Sequence, residues 1–233
     1  MGRGYHAAMN DPVSAFAAGN QQFQIDGPAG ALEVASAAPA ASRRLGTAII
    51  CHPHPLYGGS MQNKVVTTTE RALRELGLGT LRFNFRGVGH SGGSFDDGRG
   101  EGDDLLAVAH WLRRVRPTDA LWLAGFSFGA MVSISRAVEL APAQLISLAP
   151  PIGRFALHAI SAPDCPWLVI QPAADEVVDA AAVFAWAEQL ADRIDLVRLS
   201  GSSHFFHGRL PELRAAIQAG VRAPLPELET ARS

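Results

Sequence analysis

The sequence has few cysteines, little net charge and no long apolar segment, and each shortage excludes a class of protein. Two cysteines in 233 residues cannot build a disulfide scaffold, so we expect Cys51 and Cys165 to be reduced thiols in a cytoplasmic protein. A formal net charge of −2 and a pI near 6.4 argue against nucleic acid or an anionic membrane as a partner.

No stretch is suited to crossing a membrane or to directing export. The longest run without a charged residue, 45–63, is broken by prolines, histidines and a glycine pair, which excludes a membrane-spanning helix. Residues 1–20 lack the continuous apolar core of a signal peptide, so we expect a soluble protein. The hydrophobic content of 48% predicts one domain over residues 16–222, between a loose N-terminal segment at 1–15 and a C-terminal tail at 223–233.

The pattern of apolar residues predicts an α/β fold. Residues 21–25 and 31–35 flank a turn rich in glycine and proline, which is typical of an antiparallel hairpin at a sheet edge. Beyond them, short apolar runs alternate with segments of helical periodicity, and the alternation predicts a mostly parallel sheet with helices on both faces. The expected strands lie at 47–51, 81–85, 121–124, 144–148, 167–171 and 196–199, and the expected helices at 64–76, 103–116, 130–140, 180–190 and 213–221.

The pentapeptide GFSFG at 125–129 joins an apolar run to a segment of helical character. A strand that turns directly into a helix at a serine predicts a nucleophile elbow, and the glycines beside Ser127 let strand and helix pass closely. Ser127 would stand at a helix N-terminus, where the Phe128 N–H could stabilise a developing oxyanion. The alternative is a glycine-rich turn whose serine only caps the helix.

Groups that could activate Ser127 follow later strands in the order that elbow hydrolases use, which is serine, then acid, then histidine. Asp175 and His204 each follow a predicted strand, and the carboxyl ends of parallel strands meet at one edge of the sheet. We therefore predict Asp175 as the orienting carboxylate and His204 as the base. Glu176 is the rival acid and His207 the rival base.

The loop HPHPLYGGSM at 52–61 follows the first predicted parallel strand, where a second oxyanion donor is expected. Its two prolines have no N–H, so the donor is the backbone amide of His54, Leu56, Tyr57 or a residue beyond them, and we predict Leu56. The His52-x-His54 spacing could also bind a metal, with Asp175 or His204 completing the site. No dense cluster of further ligands follows, so we expect neither a metal nor a cofactor.

A glycine motif elsewhere in the chain resembles a dinucleotide fingerprint. Residues 87–92, GVGHSG, match G-x-G-x-x-G after a predicted strand. A true fingerprint opens a helix at its third glycine, whereas residues 93–98 continue as loop. We interpret the motif as a structural turn.

Four motifs in order resemble the α/β-hydrolase superfamily, and more closely a group of small bacterial serine hydrolases that have no lid. The motifs are CHPHPLYGGSMQNKVV at 51–66, RFNFRGVGHSGGSFD at 82–96, GFSFGA at 125–130 and HFFHG at 204–208. The resemblance implies an α/β-hydrolase fold with an eight-stranded, mostly parallel sheet and no cap domain, a triad of Ser127, Asp175 and His204, and no cofactor. One residue departs from the pattern: Pro172 stands in the acid turn where the superfamily usually has glycine.

The sequence favours a carboxylesterase acting on a small-molecule ester of short to medium acyl length. Tyr57 and Phe205 are the expected substrate-binding residues, whereas Phe126 is a better candidate for the core. A thioesterase or peptidase with the same triad, and a catalytically silent binding scaffold, are the alternatives. The sequence does not indicate an oligomeric state.

Overall fold

A computed structural model describes residues 20–153 and 161–230, together with Phe16, and its centre is an eight-stranded sheet. The predicted N-terminal segment at 1–15 lies outside the described residues. The strands are β1 (Gln22–Gly27), β2 (Gly30–Ala37), β3 (Gly46–Cys51), β4 (Gly79–Phe83), β5 (Ala120–Phe126), β6 (Gln144–Leu148), β7 (Trp167–Pro172) and β8 (Ile194–Leu199). The helices are α1 (Lys64–Glu75), α2 (Arg99–Val115), α3 (Phe128–Leu140), α4 (Ala180–Gln189) and α5 (Leu210–Gly220), with a one-turn 3-10 helix at Pro55–Tyr57.

The sheet has the order β1-β2-β4-β3-β5-β6-β7-β8. β1 pairs with β2, and β2 with β4, in antiparallel register, while every neighbouring pair from β4 to β8 is parallel. The hairpin and the α/β class predicted from the sequence are therefore confirmed. The parallel register brings the carboxyl ends of β3, β5 and β7 to the same edge.

Two apolar layers hold the helices against the faces of the sheet. Successive residues of β5 alternate between them: Leu123 packs in the layer under α2, α3 and α4, and its neighbours Trp122 and Ala124 pack in the layer under α1 and α5. All of these side chains are buried. No helix in the described part of the chain is both long enough and apolar enough to span a bilayer.

Helix α2 begins four residues before the predicted Asp103, at Arg99. The Glu101 carboxylate accepts hydrogen bonds from the backbone N–H groups of Gly98 (2.8 Å) and Asp96 (3.0 Å), and it thereby caps the N-terminus of the helix. Gly100 disfavours helix in isolation, but a Cβ there would lie 2.0 Å from the Arg86 guanidinium. The local glycine content therefore reflects tertiary packing and does not mark a loop.

Strand β4 ends at Phe83, two residues before the end predicted from its apolar run. Phe85 is fully buried although it lies beyond the strand, and its N–H donates to His52 Nε2 at 3.0 Å. The pattern of burial thus continues past the last residue paired in the sheet, which explains the shifted prediction.

Residues 226–229, within the predicted C-terminal tail, are hydrogen-bonded to the start of the parallel sheet. Leu45 N–H donates to the Glu227 carbonyl at 2.8 Å, and Glu229 N–H donates to the Arg43 carbonyl at 2.7 Å. The Glu229 carboxylate also pairs with Arg43 at 3.0 Å. This segment closes the amino-terminal side of the sheet, opposite the predicted site.

Candidate active site

Ser127 lies between the end of β5 and the start of α3, in a backbone conformation that L-residues seldom adopt. Its φ is 53° and its ψ is −117°, which is the strained turn expected of a nucleophile elbow. The Ser127 N–H donates to the Leu148 carbonyl at the end of β6 at 2.8 Å, so the neighbouring strand holds the turn. The serine side chain is thereby presented at the carboxyl edge of the sheet.

The glycines on either side of Ser127 are required by close backbone approach. A Cβ at Gly125 would lie 2.2 Å from the Gly129 carbonyl oxygen, and a Cβ at Gly129 would lie 2.4 Å from the Cys51 carbonyl oxygen at the end of β3. Both distances are far below van der Waals contact, so only glycine fits either position without a shift of the backbone. The role predicted for these two residues agrees with this geometry.

A continuous chain of hydrogen bonds links Ser127 to a buried carboxylate. His204 Nε2 lies 3.1 Å from Ser127 Oγ, and His204 Nδ1 lies 2.9 Å from Asp175 Oδ2 and 3.0 Å from Asp175 Oδ1. The Asp175 side chain is fully buried and that of His204 is 2% exposed. The carboxylate fixes the proton on Nδ1, so Nε2 carries the lone pair that faces the serine hydroxyl.

The acid turn after β7 holds the Asp175 carboxylate through several donors. Oδ1 accepts from the N–H groups of Val177 (2.9 Å) and Val178 (2.8 Å), and Oδ2 accepts from Gln171 Nε2 at 3.0 Å. Burial alone would raise the pKa of Asp175. The hydrogen bonds from His204, Val178 and Val177, together with the charge of His204, outweigh burial and lower that pKa below its usual value. Asp175 is therefore held as a carboxylate.

The rivals considered from the sequence occupy other positions. The Glu176 carboxylate accepts a hydrogen bond from the His204 backbone N–H at 3.0 Å, so it fixes the histidine loop and does not contact the imidazole. His207 is exposed and stacks near Phe205, with ring centroids 5.9 Å apart. The structure thus brings together Ser127, Asp175 and His204.

His52, one of the two histidines with chelating spacing, is a buried structural residue. Its Nε2 accepts from the Phe85 N–H at 3.0 Å, and its Nδ1 lies 2.6 Å from the Pro53 carbonyl, to which it donates. Burial lowers the pKa of His52 to about 4, although the bond to Pro53 opposes the shift. Within residues 20–153 and 161–230 no group of three or more histidine, cysteine, aspartate or glutamate side chains could hold a metal.

The Leu56 amide, predicted as the second oxyanion donor, is directed elsewhere. Pro55 begins a one-turn 3-10 helix whose cap is His54, and the Leu56 N–H donates to His54 Nδ1 at 3.3 Å. The Leu56 residue is 67% exposed and does not line the cavity beside Ser127, whereas His54 does. The loop therefore reaches the site through His54, and the geometry does not favour Leu56. Phe128 is the first residue of α3, where a backbone N–H lies beside Ser127.

A cavity of about 310 Å³ opens beside Ser127 and His204. Most of its surface is apolar, and among the described residues it is lined by Pro53, His54, Tyr57, Gly58, Gly59, Asn63, Ser127, Val177, His204 and Phe205. Tyr57 and Phe205, the predicted substrate-binding residues, both line it. Phe126 and Phe128 are each only 1% exposed and belong to the core.

The glycine motif at 87–92 forms a turn and not a helix start. Gly87 N–H donates to the Gly92 carbonyl at 3.0 Å, and Gly87 and Gly89 both have positive φ, 75° and 57°. A Cβ at Gly89 would lie 2.5 Å from both Asn84 Nδ2 and Glu33 Oε2. The Asn84 side chain in turn accepts from the Met61 N–H at 2.8 Å, so this turn supports the loop at 58–63.

The chain is similar to several solved structures over nearly its whole length. XC6422 from Xanthomonas campestris, an α/β serine hydrolase without a lid, is 54% identical with a TM-score of 0.86, covering 91% of this chain and 97% of that one. An α/β serine hydrolase homologue from Coxiella burnetii is 48% identical with a TM-score of 0.85, covering 88% and 98%. The chain belongs to the lid-less α/β serine hydrolases.

Membership of the lid-less α/β serine hydrolases agrees with the connection between β6 and β7, which is the short segment 149–166. The uncharacterised protein RP471 from Rickettsia prowazekii is also similar, with 34% identity over 206 residues that cover 84% of this chain and 86% of that protein. No protein-family model matches the sequence. The resemblance inferred from the four sequence motifs is thus confirmed by whole-chain similarity.

Three residues contribute to the site in ways that the sequence analysis did not assign to them. Gln171 donates to the catalytic carboxylate candidate, Glu176 holds the backbone of His204, and Asn63 both caps α1 and lines the cavity. Asparagine before a helical period is a recognised N-cap, so the sequence carries a signal for the cap at Asn63. The contacts of Gln171 and Glu176 depend on how the strand ends meet.

Proposed function

We propose that this protein is a carboxylesterase that cleaves small esters through an acyl-enzyme on Ser127. The observation that carries the proposal is the hydrogen-bonded chain from Ser127 Oγ to His204 at 3.1 Å and from His204 to Asp175 at 2.9 Å. A serine at its ordinary pKa is a poor nucleophile and needs such a base. The mostly apolar cavity beside the chain supports an uncharged small molecule as the substrate.

In the first half of the reaction Ser127 Oγ attacks the ester carbonyl carbon while His204 Nε2 removes the hydroxyl proton. The negative charge passes to the carbonyl oxygen, and Asp175 stabilises the imidazolium that forms. His204 then gives its proton to the leaving alkoxide. The C–O bond to the alcohol breaks, and the acyl group remains on Ser127.

The developing oxyanion needs two N–H donors near the N-terminus of α3. Phe128, the first residue of this helix, is the proposed first donor. The second belongs to the loop at 52–59, and the backbone of His54 replaces Leu56 as the candidate because His54 lines the cavity with Ser127. The second half of the reaction repeats these steps with water as the nucleophile and releases the carboxylic acid.

The experiment that tests the proposal is reaction with a small fluorophosphonate, read by intact mass. The parent protein is expected to gain one adduct, and Ser127→Ala none, because the adduct forms only on an activated hydroxyl. Ser127→Ala is also expected to lose at least about 10⁵-fold in kcat on p-nitrophenyl esters. The parent failing to react would contradict the proposal and favour a binding scaffold, and preference for thioesters or peptides in a matched panel would reassign the substrate.

Acyl-chain length is expected to depend on Val177, which lines two cavities. One is the 310 Å³ cavity at Ser127, and the other, of about 340 Å³, is lined by the described residues Pro151, Ile152, Gly153, Val177, Val178, Asp179 and Ala182. Val177→Ala removes part of the wall between them but keeps the N–H that holds Asp175. We expect the ratio of kcat/KM for octanoyl to butyryl esters to rise about tenfold.

Val138→Ala is the matched control for Val177→Ala, because Val138 is an exposed valine on α3 that lines neither cavity. It should leave the chain-length profile unchanged. If Val177→Ala also gives the parent's profile, the acyl chain does not extend past Val177.

The localisation we propose is the cytoplasm, which the two free cysteines support.

A further inference from the structure

Gln171, the penultimate residue of β7, is fully buried and its side-chain amide points into the acid turn. Gln171 Nε2 donates to Asp175 Oδ2 at 3.0 Å and lies 3.2 Å from the Pro172 carbonyl oxygen. We infer that Gln171 is a positioning residue that aims the Asp175 carboxylate at His204, an inference that rests on the proposed function.

The two oxygens of Asp175 are held by different kinds of donor. Oδ1 has two backbone donors, Val177 and Val178, that any sequence with this turn would provide. Oδ2, the oxygen closer to His204 Nδ1, has the Gln171 amide as its additional donor. Without Gln171, Oδ2 would keep its bond to His204 but lose its other donor, so fewer bonds would hold the carboxylate against the imidazole.

The other end of the Gln171 amide indicates that the residue is not there for stability. Its Oε1 atom is buried and has no hydrogen-bond partner in the part of the chain that the structure describes. An unsatisfied buried carbonyl costs stability, and an apolar side chain of the same shape would avoid that cost. What the glutamine provides in return is the bond from Nε2 to the carboxylate.

The side chain that supplies this donor lies next to a proline. Pro172 itself has no N–H to donate. The Gln171 side chain folds back over the turn, between the Pro172 carbonyl and Asp175. It therefore brings a donor to Oδ2 from a residue four positions earlier in the chain.

The test is Gln171→Met, which keeps the length and burial of the side chain but removes the donor. With p-nitrophenyl butyrate we expect kcat to fall about tenfold at its plateau with KM unchanged. The melting temperature should change little, since the variant also removes the unsatisfied carbonyl.

Gln144→Met is the matched control. Gln144 is also a fully buried glutamine, on β6, and its Oε1 accepts from the N–H groups of Arg222 and Ala223, both at 3.0 Å. This variant should lower the melting temperature and leave kcat unchanged. A structural role for Gln171 would instead make the two variants alike.

The outcomes separate the inference from the proposed function. If the parent reacts with the fluorophosphonate and Gln171→Met has the parent's kcat, the positioning role is wrong and the esterase proposal stands. If Gln171→Met loses activity only in proportion to its loss of folded protein, the positioning role is also wrong. A parent that fails to react overturns the proposed function and the inference with it.

Discussion

His204→Ala is expected to lower kcat for ester hydrolysis by roughly a millionfold. The imidazole lies 3.1 Å from Ser127 Oγ and is the group proposed to accept the proton. Its loss leaves the serine hydroxyl without a base in both halves of the reaction. Stopped-flow or long-time-course assays with p-nitrophenyl butyrate, together with the rate of fluorophosphonate labelling, measure the loss.

His207→Ala is the control for this prediction. His207 lies three residues further along and is exposed, so its removal should keep kcat within about twofold of the parent. Because the His204 ring packs on Phe126 with centroids 5.1 Å apart, the melting temperature of His204→Ala must be measured beside its activity. Comparable losses in the two variants, or substantial activity in folded His204→Ala, would assign the base elsewhere.

The residues of the triad could be predicted because each comes within a few residues of the end of a strand that its apolar run identifies. A parallel sheet brings those ends to one edge, so an error of one or two residues in a strand end does not change the outcome. The glycine spacing around Ser127 added a local constraint, since a Cβ at either glycine would overlap backbone atoms. Periodicity and this backbone constraint placed the candidates at one edge, and the serine, acid, histidine order of elbow hydrolases assigned their roles.

What could not be predicted is how side chains and amides at the strand ends are aimed. The prolines of the 52–61 loop predicted a rigid support, but not that Pro55 would begin a 3-10 helix and direct the Leu56 N–H to His54. Likewise the fold-back of Gln171 onto Asp175 spans four residues of a turn. Such contacts depend on dihedral angles that no periodicity encodes.

Glu176 was the rival acid in the sequence, and its position shows that the two adjacent carboxylates have different roles. Asp175 contacts the imidazole of His204, while Glu176 accepts from the backbone N–H of the same residue. One acid therefore orients the ring and the other fixes the loop that carries it. Because their contacts differ, we expect substitutions of the two acids to have very different effects on kcat.

Asp175→Asn is expected to lower kcat by about 10⁴-fold while the protein remains folded. The Oδ1 position receives the N–H groups of Val177 and Val178, so the asparagine oxygen should take that place. Its NH₂ group would then face His204 Nδ1 and donate to it. The ring proton would move to Nε2, which faces Ser127 Oγ, and Nε2 could no longer accept the serine proton.

Glu176→Gln tests whether the effect belongs to the orienting acid alone. A glutamine at 176 keeps an oxygen that can accept from the His204 N–H, so kcat should stay within a few-fold of the parent. The measurement is kcat at saturating p-nitrophenyl butyrate for both variants at the parent's optimal pH. If Glu176→Gln showed the 10⁴-fold loss and Asp175→Asn did not, Glu176 would be the orienting acid. The 2.9 Å contact between Asp175 and His204 would then serve only to hold the fold.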